Sequence, residues 1–473
     1  MLGAASVLTV VTLTGLACGL AREWLLVASW GASARTDAFL IALFIPEAVR
    51  TILGGGLLSS AALALWQGRE PEQRMPWLGG MSAVVGGLAL ACSALLWLGA
   101  PVGVQLIGPG LSPAQAASAQ MGMSVLAWAL PGMALQALWS VPLQAQGRFV
   151  LAGLGSLLYN LPAVICLAWS RGQTQERDLA WSFVAGSLLM GLVLLPSLWR
   201  QGWRPALLRW HRADALELGQ RVWPLLGGAM VGQGLTLLER IVASYLGDGV
   251  LTVLNLARKL VNLPLLALMA VNQVLLGLMS RGGQAERLQL LRQGMGLVST
   301  VSTPAAIGLM LAAPSLVALL FPRVQGAAIL APVLAWYAVT LVVASWNSLL
   351  TRYSHAAGNT RLPFACELAG GAAQALALVL LAPMFGVTGM AAALLLGTLV
   401  QGALLWWRSD ARGRVPMGWP LGACGGLLWV AGAWVAPRLP LEPWWQLGWA
   451  TVAGALALLA LALLFKPWRA PAA

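Results

Sequence analysis

The chain is cut into long apolar runs by short breaks holding arginine, proline or glycine, and that alternation leaves few folds open. An apolar run of about 20 residues is the length of one bilayer-crossing helix. Segmenting at the charged or Pro/Gly-rich breaks predicts fourteen spans, at 2–31, 36–66, 76–100, 115–145, 149–170, 179–199, 219–246, 250–280, 290–321, 326–351, 362–384, 385–407, 416–436 and 444–465. Composition agrees: 59% of residues are hydrophobic and only 9% charged, against about 25% charged in soluble domains. The expected fold is an all-α polytopic membrane protein with 14 transmembrane helices. The first run, from about Leu2 to Leu20, lacks a basic leader and reads as a retained helix rather than a cleaved signal.

The net charge of +13 does not point to nucleic acid, because the basic residues fall in short clusters between apolar runs. Their bias sets topology instead. Of the 28 Lys and Arg, breaks on one side hold only Arg35, Arg171, Arg177, Arg323 and Arg438, whereas those on the side of the termini hold 18. Both termini are therefore expected in the cytoplasm. The polar stretch Trp199 to Arg221, rich in Trp and Arg, reads as a linker at headgroup level. The five cysteines stand singly in apolar runs, and His211 and His355 have no Cys or His partner nearby, so no metal site is expected.

The two halves echo each other. VASW (27–30) answers VASY (242–245); each is followed by a polar hairpin and a helix expected to end at a proline, Pro46 or Pro264. "WSVPLQAQGRF" and "WNSLLTRYSHAAGNTRLPF" occupy equivalent turns between the fourth and fifth spans of each half. The expected organisation is two pseudo-symmetric six-helix lobes plus a C-terminal pair: 1–210 with the linker, 211–413, and 414–473 as a groove for a lipid tail. Duplicated transporters place substrate between such halves.

Ionisable residues within apolar runs mark candidate sites, because a charge at mid-bilayer costs about 2.5–3.5 kcal/mol on insertion scales. Arg22 and Arg240 either face a wet cavity or snorkel to headgroups from near a helix end. Arg50 lies mid-span, and Glu47, three residues earlier on the same face, either forms a structural pair with it or shares a site. Gly54, Gly55 and Gly56 then weaken the helix. In the eighth span Asn255, Lys259 and Asn262 form one polar stripe, with Arg258 one position round. Cations from both halves, beside lipid, suit an anion on a lipid carrier, since the planar guanidinium matches phosphate oxygens in pairs.

These residues carry a family resemblance. "GLARE…GASARTDAFLIALFIPEAVRTILGGGLLSSA", "GRFVLAGLGSLLYNLPAV" and "ASYLGDGVLTVLNLARKLVNLP" resemble the MurJ/MviN lipid II flippases of the multidrug/oligosaccharidyl-lipid/polysaccharide exporter superfamily. The resemblance implies alternating-access export of an undecaprenyl-pyrophosphate-linked glycan. It places cavity cations on Arg22, Arg50 and Lys259 and a hairpin acid on Asp37. It also implies no cofactor beyond a coupling cation (sodium or a proton) or membrane potential, with Glu239 and Glu367 as candidate acids. Membrane lipids and glycan-synthesis proteins would be its partners. The chain departs from the family pattern at Leu16 and Gly55, at Arg258–Lys259 in place of an acid–arginine pair, and at Asn262 in place of an acid. Those departures leave the cargo open between lipid II and an exopolysaccharide repeat unit.

Three rivals fit less well. A cation-coupled drug antiporter would want acids where the first half has arginines. A glycan polymerase or ligase would need a catalytic constellation on a large outer loop, and no Ser/His/Asp, metal or nucleotide motif appears. A non-transporting scaffold would have no use for the buried charges.

Overall fold

The computed structural model describes all residues except 1, 55, 171, 210, 281–282, 321–326, 416–417, 440–441 and 466–473. Gly55, Arg171, Trp210 and Arg323 therefore lie outside the described residues. The described chain is helical, and it divides into two compact units, Met1–Gly249 and Val250–Ala473.

The first unit begins with α1 (Leu2–Trp30), followed by a broken span of α2 (Ala34–Ala42), α3 (Phe44–Gly54) and α4 (Leu57–Gln67). Next come α5 (Pro71–Leu98), a short α6 (Ala100–Ile107) and the train α7 (Pro113–Leu126), α8 (Leu130–Trp139) and α9 (Val141–Ala145). The unit closes with α10 (Phe149–Gly153), α11 (Gly155–Trp169), α12 (Glu176–Leu192), α13 (Leu195–Arg200) and α14 (Arg212–Ser244). Each apolar run predicted in this half corresponds to one helix or one such train. The compact unit ends after the seventh span, so α14 packs with the first half.

Local chemistry explains the breaks. Pro46 has no N–H to give to the carbonyl four residues back, and α2 stops at Ala42, the residue that would have received it. The second span therefore bends at Leu43, ahead of Pro46, rather than ending at the proline. The glycine-rich segment stops α3 at Gly54, and Gly56 takes a φ of 84° before α4 begins. Ser112 and Gln115 close a reciprocal capping box at the start of α7.

At the end of the unit that carries the basic breaks, Trp66, Trp77, Trp139 and Trp203 join Leu78, Met81 and Leu138 in one buried cluster. Arg69 bridges Asp214 and Glu217, each at 2.8 Å, tying the end of α4 to the start of α14. The linker packs on this end of the unit: Trp203 is buried, and the carbonyl of Leu207 lies against Gly79 of α5.

The second unit holds α15 (Val250–Met279), α16 (Gln284–Leu320), α17 (Ala327–Ala356), α18 (Arg361–Arg408), α19 (Gly418–Val430) and α20 (Pro443–Phe465). α18 is two helices joined at Gly386, whose φ of 58° and ψ of −134° break the helix where the eleventh and twelfth spans were expected to meet. That conformation is open to glycine and strained for other residues. In the eighth span the proline has the opposite outcome from Pro46: α15 runs through Pro264 to Met279 instead of ending there. α19 and α20 pack on α16, around Ile307, Leu311, Ala431, Ala450 and Ala457.

One hydrogen bond recurs in both units. Trp139 Nε1 donates to Ser82 Oγ at 2.9 Å, and Trp346 Nε1 donates to Ser299 Oγ at 2.9 Å. Trp139 and Trp346 open the two echoing turn sequences, so the internal repeat extends to a specific contact between the third and fourth spans of each half.

Large apolar side chains stand on the outside, among them Leu95, Leu98, Trp444 and Leu456. Such a surface is a liability in water and is solvated by lipid. Among the described residues, eight helical stretches are long and apolar enough to cross a membrane by length and composition alone. Helices in that setting approach closely through small residues. A Cβ on Gly186 of α12 would sit 2.4 Å from the carbonyl oxygen of Tyr159 on α11. Gly186→Ala is expected to force these helices apart and lower the melting temperature of the detergent-solubilised protein by several degrees. Gly87→Ala, where nothing lies within 4 Å, is expected to leave it unchanged.

Candidate functional site

The inward-turned charges of the first unit come from two helices, α1 and α3, and meet a neutral amide from a third, α11. Arg22 of α1 is 2% exposed, so it does not snorkel. Its Nη1 donates to Asn160 Oδ1 of α11 at 2.8 Å and to Glu47 Oε1 of α3 at 3.2 Å, and its Nη2 pairs with Glu23. Asn160 is oriented for this, because its Nδ2 donates to the Ser156 carbonyl at 2.7 Å and turns Oδ1 towards Arg22. The other oxygen of Glu47 accepts from Arg50 Nη2 at 3.0 Å. One carboxylate thus bridges two arginines.

Aromatic rings form the floor. The Arg22 guanidinium lies 4.9 Å from the Phe183 ring centre and that of Arg50 lies 5.2 Å from the Tyr159 ring centre. The two rings meet edge to face at 5.3 Å. Cation–π contacts of this kind contribute about 0.5–2 kcal/mol, more when desolvated. Arg22, Arg50, Glu23 and Glu47 carry formal charges that cancel. This is what permits them to stay ionised inside an apolar bundle, where an unpaired charge is prohibitive.

The two arginines differ in access. Arg50 lines a cavity of about 390 Å³ together with Thr51, Ser59, Gln136, Ser140 and Gln144, and Arg22 is not among its walls. That volume falls in the ~300–1,000 Å³ range of small-molecule sites. Its lining of hydroxyls and amides around one guanidinium is suited to an oxyanion. Arg22 is held by three partners behind it and acts on the cavity through Glu47.

The break in the second span positions α3. Losing helical continuity at Leu43 leaves carbonyls of the last turn of α2 without their usual donors. Arg240 of α14 supplies one: its Nη1 donates to the Leu40 carbonyl at 2.5 Å, and its guanidinium lies 4.8 Å from the Phe44 ring centre. Sequence reasoning singled out Arg240 only as a charge near a helix end; the structure makes it the cap of a proline-induced bend.

The remaining candidates stand elsewhere. Asp37 is buried in the first turn of α2. Its neighbour Arg35 ties the hairpin to the sixth span, bonding Glu176 at 2.8 Å and the Thr174 carbonyl at 2.9 Å. On α15, Asn255, Arg258 and Lys259 are half-buried and Asn262 is exposed. Glu239 is half-buried on α14, beside Arg240. Glu367 is exposed on α18 and lines a cavity of about 370 Å³ in the second unit with Arg352, His355, Asn347 and Gln401. Among the described residues, no group of three or more His, Cys, Asp and Glu gathers to hold a metal ion. Glu23, Tyr159 and Asn160 were missed as site residues. The one available signal was a polar Tyr–Asn pair inside an otherwise apolar fifth span.

With this geometry in view, comparison with known proteins is decisive. The family described as "Lipid II flippase MurJ" matches residues 26–423. The chain belongs to the MurJ lipid II flippase family. A probable lipid II flippase MurJ of Thermotoga maritima is 25% identical over 390 residues, covering 79% of this chain and 78% of that protein. The lipid II flippase MurJ of Burkholderia cenocepacia is 25% identical over 427 residues, covering 85% and 82%. Among solved structures, a lipid II flippase MurJ in an inward closed conformation superposes with a TM-score of 0.85 at 19% identity, covering 98% of this chain and 99% of that one. An inward-facing multidrug transporter of the MATE family superposes at 0.69 with 15% identity, covering 87% and 98%. The fold of that MurJ is thus shared along nearly the whole chain, and the MATE-family transporter has the same architecture.

Replacing Arg240 by leucine removes the donor to Leu40. Leaving a buried carbonyl unsatisfied costs about 1–3 kcal/mol, so amide exchange across residues 41–47 is expected to quicken roughly tenfold or more, while exchange in α5 stays as in the wild type.

Proposed function

We propose that this protein is a flippase that carries an undecaprenyl-diphosphate-linked glycan precursor, lipid II or an exopolysaccharide repeat unit, from the cytoplasmic to the outer leaflet by alternating access. Family membership supports the reaction class. The observation that carries the reading at the level of residues is Arg50, turned into a polar cavity of about 390 Å³ while Arg22 and Glu47 hold it from behind.

The division of labour follows from the geometry. Arg50 is the diphosphate ligand of the first unit, and its planar fork can take two phosphate oxygens at once. Arg22 is a positioning residue, fixing the carboxylate that fixes Arg50. Gln136, Ser140 and Gln144 replace water around the remaining oxygens. In the second unit Lys259, flanked by Asn255 and Arg258 on α15, supplies a further cation for the cargo, with Asn262 extending the stripe. Asp37, buried in the first turn of α2, is assigned to the same cargo pathway. The chemistry is transport, with no bond made or broken.

Topology is part of the proposal. The bias of basic residues puts both termini in the cytoplasm of the inner membrane, and α19 with α20 is assigned to the prenyl tail. For a coupling cation, Glu239 suits the role better than Glu367, whose cavity also holds Arg352 and His355.

The test is export in a bacterium depleted of its own flippase. Arg50→Ala and Lys259→Ala each remove a charge-assisted contact of about 2–5 kcal/mol. Precursor reaching the outer leaflet is expected to fall to background while the protein still inserts at wild-type levels. Wild-type export by the double variant would overturn the reading.

A further inference from the structure

A diphosphate-binding arginine in a transporter faces opposing demands. It has to hold a multiply charged anion strongly enough to draw it from the cytoplasmic leaflet and weakly enough to let it go. Here the arginine is already occupied. Glu47 places one oxygen 3.0 Å from Arg50 Nη2 and the other 3.2 Å from Arg22 Nη1. The formal charges of Arg22, Glu23, Glu47 and Arg50 sum to zero before any cargo arrives. A carboxylate at that distance, beside guanidinium groups that lie against Phe183 and Tyr159, opposes any second anion brought to the same guanidinium.

From this arrangement we infer that Glu47 is an internal counter-anion that competes with the cargo diphosphate for Arg50, setting the affinity low enough for release. The inference rests on the reading of Arg50 as the diphosphate ligand. Three features of the site support it. Glu47 is absent from the cavity wall that Arg50 lines, so it acts on cargo through the arginine rather than by contact. It sits one helical turn before Arg50 on α3, so the two move as a unit if the bend at Leu43 changes. Its second oxygen is anchored by Arg22, which Asn160 and Glu23 hold in turn; the competitor is thus fixed in place and cannot simply rotate away. Cargo binding loosens the Glu47–Arg50 contact, and re-forming that contact favours departure.

A purely structural role for Glu47 and a competitive one predict opposite signs. Losing a structural anchor loosens the site and weakens binding, whereas losing a competitor tightens it. The experiment measures binding of a short-chain prenyl diphosphate to the purified full-length protein in detergent, alongside export in cells. Glu47→Gln keeps the shape and an acceptor oxygen but removes the charge. Affinity is expected to rise about tenfold, equivalent to ~1.4 kcal/mol, with export slowed by delayed release. Glu47→Asp keeps the charge, and its affinity is expected to stay within about threefold of wild type.

Unchanged or weaker binding by Glu47→Gln, while Arg50→Ala abolishes binding, would overturn the competition but leave Arg50 as the ligand. Wild-type binding by Arg50→Ala would instead remove the site itself, and the inference with it. A fold control guards against misfolding: Glu47→Gln is expected to elute as the wild type does and to melt cooperatively at a somewhat lower temperature, because one buried charge is left less well answered.

Discussion

Two arginines can sit inside an apolar bundle only if something answers their charge, and here a single carboxylate answers both. Glu47 reaches Arg22 with one oxygen and Arg50 with the other, and Glu23 completes the neutral set. Removing one partner from such a buried network leaves an uncompensated charge, which costs more than the pair contributes. The group is therefore held together as a unit, and the helices that supply it, α1 and α3 with α11 and α12 behind them, are held with it. The set is asymmetric: Arg22 is enclosed, and Arg50 lines a polar cavity.

The packing of the first unit serves that asymmetry. α3 reaches the site because the span breaks at Leu43, ahead of Pro46, and because Arg240 answers a carbonyl that the break exposes. Gly186 lets α12 lie directly on the backbone of Tyr159, which brings Phe183 and Tyr159 together beneath the guanidinium groups. Further away, the Trp139–Ser82 and Trp346–Ser299 bonds fix the third and fourth spans in the same way in each half. This repeated contact is the physical trace of the duplication that the turn sequences suggested.

The helical spans were legible in sequence because the apolar runs are long and their breaks carry arginine, proline or glycine. Even the break at Gly386 falls where two spans were expected to meet. The effect of each proline was less legible. Pro46 follows a helix break and Pro264 lies inside a continuous helix, since a helix accepts or rejects a missing hydrogen bond according to which neighbours can replace it. Arg22, Glu47 and Arg50 stood out as charges in apolar surroundings. Their partner Asn160 showed only as half of a polar Tyr–Asn pair, and a contact spanning 138 positions of sequence left nothing local to tie it to Arg22. Arg240 looked like one more membrane arginine until the carbonyl of Leu40 gave it a task.

The central claim is that the cavity beside Arg50 holds a diphosphate, and a structure of the protein with a bound prenyl diphosphate tests it most directly. The account predicts phosphate density in the cavity bounded by Arg50, Gln136 and Ser140, within hydrogen-bonding distance of the Arg50 guanidinium. A diphosphate bound elsewhere, with that cavity holding only water, would contradict it.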